Sequence, residues 1–581
     1  MSGSGQGRES AGWRRVALWL ALLVLAPGKA SAQDTAVSLP PFLVEEAAKG
    51  PPWRHGEAMG FEILSRCGDS ATRRVVEAHF QLHALLGEML PPSLRWQSSV
   101  PPLLILYDEE LQPAASQEVI RQLLRRADTA APDPVALPAG RGFRPPAAGP
   151  RYSFLPNLRL SDRDVMAIFM IVRRDQVDAD RLSLTYDYIN FLARQRLPAL
   201  PAWFLGGLLT LYQKTEYGSG QLNLAPLDWF APPPTASQVK DPAFPPPVWG
   251  VPDILQQRLP AAGDSSLPEG VEPARAWQAH AALLVRWGLD ADQQAHRAGL
   301  WRFVERSAAE GASERLFIEC LGFGYDEARR RLAAYLPEAA RRGTRLRPAR
   351  PAKLPPFALV NASDLQIACI KGDWERLEVP YVRGISAELA PKYLEQARRT
   401  LRRAYDRDHR DPRLLAVMGL CEVDGGDDAA ARELLEAAVA LGPVRPRANQ
   451  ELARLRLAEF LARPAGAGGR IDTAQTARVL EALFAARGAA PPLAEVYELI
   501  ADTWTASDAL PTLRHLAVLD EGVRLFPRRV PLVRKAAGLY ARHGHAEQAD
   551  ALIALGLRVA EDEASRADFI ALRDSPMGSG R

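Results

Sequence analysis

The spacing of apolar positions divides the chain into a mixed half and a helical half. Phe61–Ser65 alternates as a short strand, and residues 71–89 place Val75, Phe80, Leu82 and Leu86 at helical spacing. Residues 102–107 (PLLILY) predict a second strand. The runs 152–159 and 165–173, rich in β-favouring residues, predict two more extended segments. Helices are expected at 178–195 and 203–215, with further helix across 273–336. After residue 357 the period is helical throughout, and it repeats. Ala397, Leu401 and Ala404 recur 34 residues later as Ala431, Leu435 and Ala438, and a second tandem pair covers 496–529 and 530–563. Residues 446–488 fit the same period only with an insertion at Pro464–Gly469. The fold class expected is therefore α+β, with a mixed N-terminal domain and a C-terminal all-α helical-repeat solenoid.

Proline-rich seams set the expected boundaries. Residues 33–59 read as a lead-in, 124–150 and 231–262 as insertions, and 341–362 as a Pro/Arg-rich linker between a domain at 60–340 and repeats at 363–571. Residues 572–581 read as a disordered tail. Ahead of the lead-in, Arg14 and Arg15 precede an apolar run, Val16–Ala26, and Ala30-Ser31-Ala32 forms an A-x-A site. An apolar helix of that length spans roughly 17 Å, short of the roughly 30 Å hydrocarbon core of a membrane. Residues 1–32 are thus expected to be a cleaved signal peptide, leaving Gln33 as the mature N-terminus and no later stretch long enough to span.

Composition narrows the function classes. A net charge of +3 over 581 residues lacks the broad basic footprint of a nucleic-acid binder. Arg far outnumbers Lys, which together with abundant Ala and Pro points to a GC-rich bacterial genome. Cys67, Cys320, Cys369 and Cys421 form no CxxC pair, so neither a zinc ribbon nor a disulfide-dense scaffold is expected. An export signal beside such scattered cysteines places the chain in a bacterial periplasm or cell envelope, with no disulfide framework. Motifs for acyl transfer and nucleotide binding are absent.

Two resemblances follow from these patterns. The 34-residue echo of small and large positions resembles the tetratricopeptide repeat, which implies stacked helical hairpins and a protein or peptide partner on their concave face. Residues 182–212 (LSLTYDYINFLARQRLPALPAWFLGGLLTLY) resemble the peptidase MA-like gluzincins. In that family an HExxH helix is followed by a Pro–Trp loop and a second helix that brings the third zinc ligand. Leu200–Tyr212 follows that pattern at the right spacing, after the right order of strands and helices.

The resemblance also implies where the chemistry would sit, and the chemistry is missing. The two histidines fall on Tyr186 and Asn190, the general-base glutamate on Asp187, and the third ligand on Gly206. Zinc hydrolysis needs two imidazoles, a carboxylate and an open water position. A phenol, an amide and a glycine do not supply them. Tyr186 and Asn190, one turn apart, are placed to hydrogen-bond each other, and Gly206-Gly207 implies a close helix crossing. No metal, cofactor or catalytic residue is expected, and the chain reads as a pseudoenzyme.

The remaining candidates have plainer readings. His79 and His83 have i, i+4 spacing but no nearby acidic or sulfur ligand, so partly exposed helix histidines are expected. His280 lies on a helix that would border the former cleft. His543 and His545 fall in a repeat turn as solvated side chains, Asn361-Ala-Ser363 is a formal sequon, and Cys67 reads as a structural thiol. The function expected is an exported, non-catalytic protein- or peptide-binding scaffold. The alternatives are an envelope hydrolase with a relocated site using His79, His83, His280 and Asp187, or a membrane-anchored assembly factor.

Overall fold

A computed structural model describes residues 37–40, 51–91, 99–108, 152–154, 157–173, 190, 197–218, 221–229, 248–260, 267, 271–290, 294–347, 353–560 and 562–574. Residues 1–32, the 124–150 insertion, Tyr186, Asp187 and the tail from 575 lie outside these, as does most of 231–262. The chain divides into two units by contact. In the smaller one, β1 (Val37–Leu39) pairs in parallel with β5 (Tyr152–Phe154). Everything below belongs to the larger unit.

Its centre is a mixed six-stranded sheet in the order β11-β2-β3-β4-β7-β6. The strands are β2 (Arg54–Ala58), β3 (Phe61–Ser65), β4 (Leu103–Asp108), β6 (Asn157–Ser161), β7 (Met166–Val172) and β11 (Val360–Asn361). β3, β4 and β7 run parallel, while β2 and β6 are antiparallel to their neighbours. Helix α1 (Asp69–Leu86) provides the crossover between β3 and β4. β4 and β7 are apolar along almost their whole length because both faces of the sheet are covered.

One face, carrying Ile63, Leu104, Leu106, Ile168 and Met170, joins the core built by α1, α2 (Ala202–Tyr212), α3 (Val251–Leu255), α4 (Pro273–Leu289), α5 (Gln294–Glu310), α6 (Glu314–Leu321) and α7 (Tyr325–Arg341). A second small sheet joins β8 (Thr215–Gly218), β9 (Gln221–Leu224) and β10 (Thr344–Leu346). The other face of the large sheet is covered by the first helix of the C-terminal half, α8 (Asp364–Ile385). Trp374 on this helix stacks on Phe169, centroids 5.5 Å apart, and Phe169 stacks on Tyr107.

The segment expected as a linker, 341–362, therefore carries β10 and β11, one strand in each sheet, and leads directly into a helix of the sheet's second layer. Its Pro/Arg composition marked a surface path but could not show that both its ends are paired.

The C-terminal region is all helical, and successive helices pack in pairs. They are α8/α9 (Ala390–Tyr405), α10 (Pro412–Gly425)/α11 (Asp428–Leu441), α12 (Pro446–Ala462)/α13 (Thr473–Arg487), α14 (Ala494–Ala506)/α15 (Leu513–Leu525) and α16 (Val530–Arg542)/α17 (Ala546–Val559), followed by α18 (Glu563–Asp574). The repeating trio occupies equivalent places on α9 and α11, and all six side chains are buried. Gly419 permits the α10/α11 crossing, since a Cβ there would lie 2.7 Å from Leu435 Cγ. Residues 463–472, which hold the expected insertion, form the long connection between α12 and α13.

Candidate functional site

The described part of the 182–212 segment is closed by packing. Asn190 is helical and half-buried. Pro201 caps α2, and Trp203 and Phe204 enter the core directly behind it. Gly206 and Gly207 face α4. A Cβ on Gly206 would lie 2.8 Å from the indole of Trp277, whose Nε1 donates to the Ile254 carbonyl at 2.9 Å. A Cβ on Gly207 would run into the Ala281 backbone. The position that the gluzincin resemblance assigns to a third metal ligand thus lies against the Trp277 indole, which a side chain there would have to displace.

The histidines set aside as alternatives are also enclosed. His79 is buried rather than partly exposed, because Phe61 covers both His79 and His83 with edge-on ring contacts of 5.7 and 5.5 Å. Burial first, then the neighbouring His83 and Arg159, hold the His79 imidazole well below its ordinary pKa. His280 is fully buried, and the 182–189 stretch that it was expected to border lies outside the described residues. It stacks on Trp249 at 4.5 Å, meets Trp229 edge-on, and donates through Nδ1 to the Ala276 carbonyl at 2.7 Å. His543 is half-buried, and His545 lies edge-on against Tyr540. All four cysteines are buried and free, and burial pushes the Cys67 thiol up to about 12. Asn361 sits in β11, where its Oδ1 accepts from Arg54 at 2.5 Å.

One donor group was not foreseen. His55, Glu57 and Glu62 bring potential ligand atoms within 4.8 Å of one another on β2 and β3. The surroundings oppose a cation there. Glu62 spends both carboxylate oxygens on Arg413, one at 2.6 Å. His55 Nδ1 accepts from the Gln366 amide at 3.1 Å, which leaves the proton on Nε2.

The larger unforeseen feature lies where the repeats meet the sheet. The β6–β7 turn, Asp162-Arg163-Asp164, enters the inner face formed by α8, α10 and α12. Asp162 Oδ2 accepts from Arg376 and Arg447, both at 2.6 Å, and from Arg445 at 3.1 Å. Asp164 Oδ1 accepts from Arg445 Nε at 2.9 Å, and its Oδ2 accepts from the Arg447 backbone N–H at 2.7 Å. That last bond caps α12, whose own N-cap, Arg445, supplies no side-chain acceptor. Arg163 donates to Gln450 and Glu451, both at 2.6 Å.

Two more carboxylates complete the network. Asp373 pairs with Arg376 and Arg445, each at 2.7 Å, and Asp424 with Arg376 at 2.7 Å and Arg447 at 2.8 Å. Four buried carboxylates thus face three buried guanidiniums. Desolvation pushes Asp162 upward, but Arg445, Arg376 and Arg447 outweigh it and hold the carboxyl well below the usual range. At Asp373 desolvation is likewise outweighed, by Arg376 and Arg445. At Asp164 desolvation prevails over Arg445, and its pKa is raised. The like charge of Asp162 beside it adds to that rise.

The repeats touch the α/β half elsewhere along the same side. Arg413 on α10 binds Glu62 of β3, and Ser99 N donates to the Ala490 carbonyl at 3.0 Å. A small apolar cavity is lined by Ala199 and Ala308 from the α/β half and by Leu525–Arg529 from the repeats. Sequence offered one overlooked signal: two pairs of like charges two positions apart, Asp162/Asp164 and Arg445/Arg447.

No family model and no curated protein matches the chain. Among solved structures it is similar to TTC0263, described as a thermophilic TPR protein in Thermus thermophilus. That match has 17% sequence identity, covers 35% of this chain and 98% of that one, and has a TM-score of 0.24.

Proposed function

We propose that this is an exported, non-catalytic binding protein, in which a degenerate peptidase MA-like domain is carried on tetratricopeptide-like repeats. The observation that carries the non-catalytic reading is the Gly206 crossing. A side chain at this position would collide with Trp277, so the second helix of the motif has no ligand to offer. Tyr186, Asp187 and Asn190 add no imidazole at the HExxH positions. The relocated-hydrolase alternative loses support, because His280 is packed between two indoles and His79 lies beneath Phe61.

Binding through the repeats is supported by their stacked hairpins and by their inner face, which already holds a charged turn with complementary partners. That occupancy also redirects the search. The inner face of α8, α10 and α12 is filled by the chain itself, so an outside protein meets the outer helices and the α14–α18 end first.

Elemental analysis and peptidase assays on residues 33–581, prepared without chelator and with zinc present, test the reading. Zinc well below about 0.1 per chain and no hydrolysis are expected. Near-stoichiometric zinc, lost on substituting His79 or His280, would sink it. Sequencing the mature N-terminus addresses export separately. A start at Gln33 fits a cleaved signal, whereas an intact Met1 supports the anchored assembly factor. Among the described residues no helix is long and apolar enough to cross a membrane.

A further inference from the structure

The contact between the β6–β7 turn and the repeats has the character of ligand recognition. The α/β half and the helical hairpins have separate hydrophobic cores. What joins them at the turn is polar: each of three consecutive side chains has its own partners. Asp162 is held by arginines from two different helices, α8 and α12. Asp164 accepts both from a guanidinium and from the Arg447 backbone N–H at the start of α12. Arg163, between them, turns to the acidic and amide side chains further along α12.

We propose that the inner face of α8, α10 and α12 is a receptor for an acidic turn of the pattern carboxylate–x–carboxylate, and that this chain fills it with its own Asp162-Arg163-Asp164. The repeats' first partner is therefore internal. An outside protein takes the groove only when the turn has left it, and only by presenting the same pair of carboxylates. Peptide-sized recognition of this kind depends on charge geometry more than on area. The proposal stands whether or not the α/β half is catalytic, so its failure and that of the non-catalytic reading are separable.

The alternative is that the sheet holds the repeats by apolar packing, through Trp374 on Phe169, with the ions merely accommodated. A nicked full-length chain decides between them. A protease site placed at exposed Lys353 is cut after folding, and the dissociation constant of the two halves is measured. Asp162→Asn with Asp164→Asn is expected to weaken association at least 100-fold, and Phe169→Leu less than 10-fold. The reverse order overturns the proposal, as does the unaltered halves separating on nicking.

A second arm does not depend on how well any single variant folds. A hairpin peptide spanning 157–172 is added to the nicked protein carrying both Asp→Asn substitutions, where the groove is weakly held. Saturable binding of the peptide with both aspartates, and none of its Asp→Asn counterpart, is expected. Equal binding of both peptides, or of neither, contradicts receptor behaviour. A double-mutant cycle between Asp162→Asn and Arg447→Gln should show at least tenfold coupling in the same constant, and additivity would count against direct recognition.

Discussion

Two regions of this molecule are tightly packed, and they are held by different physics. At the α2/α4 crossing, glycines bring two backbones together and an indole covers the remaining space. At the sheet–repeat groove, seven acidic and basic side chains and a helix N-terminus interlock. The first is steric, since a Cβ at Gly206 or Gly207 would collide with α4. The second is chemical, and the groove keeps the shape and charge of a binding site while it is occupied. The α2/α4 crossing is held by apolar packing and the groove by paired charges, so substitutions act on the two differently.

Substitutions should distinguish the two regions. The largest effect is expected at Arg376, which is completely buried and contacts Asp162, Asp373 and Asp424. Arg376→Leu leaves these carboxylates short of a partner and should cost about 3–5 kcal/mol in urea unfolding. A loss below about 1 kcal/mol would mean that the network is electrostatically idle. Next comes Gly207→Ala. Its methyl group meets the Ala281 backbone, so overpacking should cost about 1–3 kcal/mol. Neutral behaviour would show that α2 and α4 are less tightly crossed than described.

Asp164→Asn should be milder than Arg376→Leu, about 0.5–2 kcal/mol, and local. It weakens the cap on α12, so faster amide exchange at the start of that helix is the diagnostic sign. The smallest effect is expected at Glu57, which is exposed. Glu57→Gln should shift stability by less than about 0.5 kcal/mol and leave metal content unchanged, whereas a fall in bound zinc would reinstate the His55 group as a site.

Of these two regions, acid acts on the groove. Asp162 and Asp373 are held below the roughly 3.9 of an unfolded aspartate, so their stabilisation is complete above about pH 4 and drains away as pH falls through their folded values. Asp164 has the opposite sign. Its raised pKa favours the protonated fold, and its contribution is greatest below the unfolded value and shrinks as pH rises through the folded one. Acid unfolding of the wild type should therefore be steeper than that of Asp162→Asn, and identical profiles would exclude the ion pairs as the cause.

Much of the fold was legible in the sequence. The strands at 61–65, 102–107 and 165–173 and the helices at 71–89 and 203–215 lie within a few residues of those observed, because apolar periodicity reports directly on burial. The Ala–Leu–Ala echo located α9 and α11 because small residues at a helix crossing admit few substitutes. The Gly206-Gly207 pair correctly signalled a close approach. His79 and His280 could not be read, because their surroundings come from residues distant in the chain, such as Phe61 and Trp229. The groove was invisible for a related reason. A charged residue on a helix normally reads as a solvated face, and nothing local reveals that Arg376 finds Asp162 across more than two hundred residues. Helices α8, α10 and α12 bury charges on the side that a free repeat array would leave in water, and that departure from amphipathic pattern becomes meaningful only once the sheet is in place.

If the turn in the groove holds the α/β half to the repeats, the two should unfold as one cooperative body. Urea unfolding followed in parallel by tryptophan fluorescence and far-ultraviolet circular dichroism tests it most directly. Coincident single transitions are expected for the wild type, splitting into two when Asp162 and Asp164 are both replaced by asparagine. Two transitions already present in the wild type, or one that persists in the double variant, would contradict it.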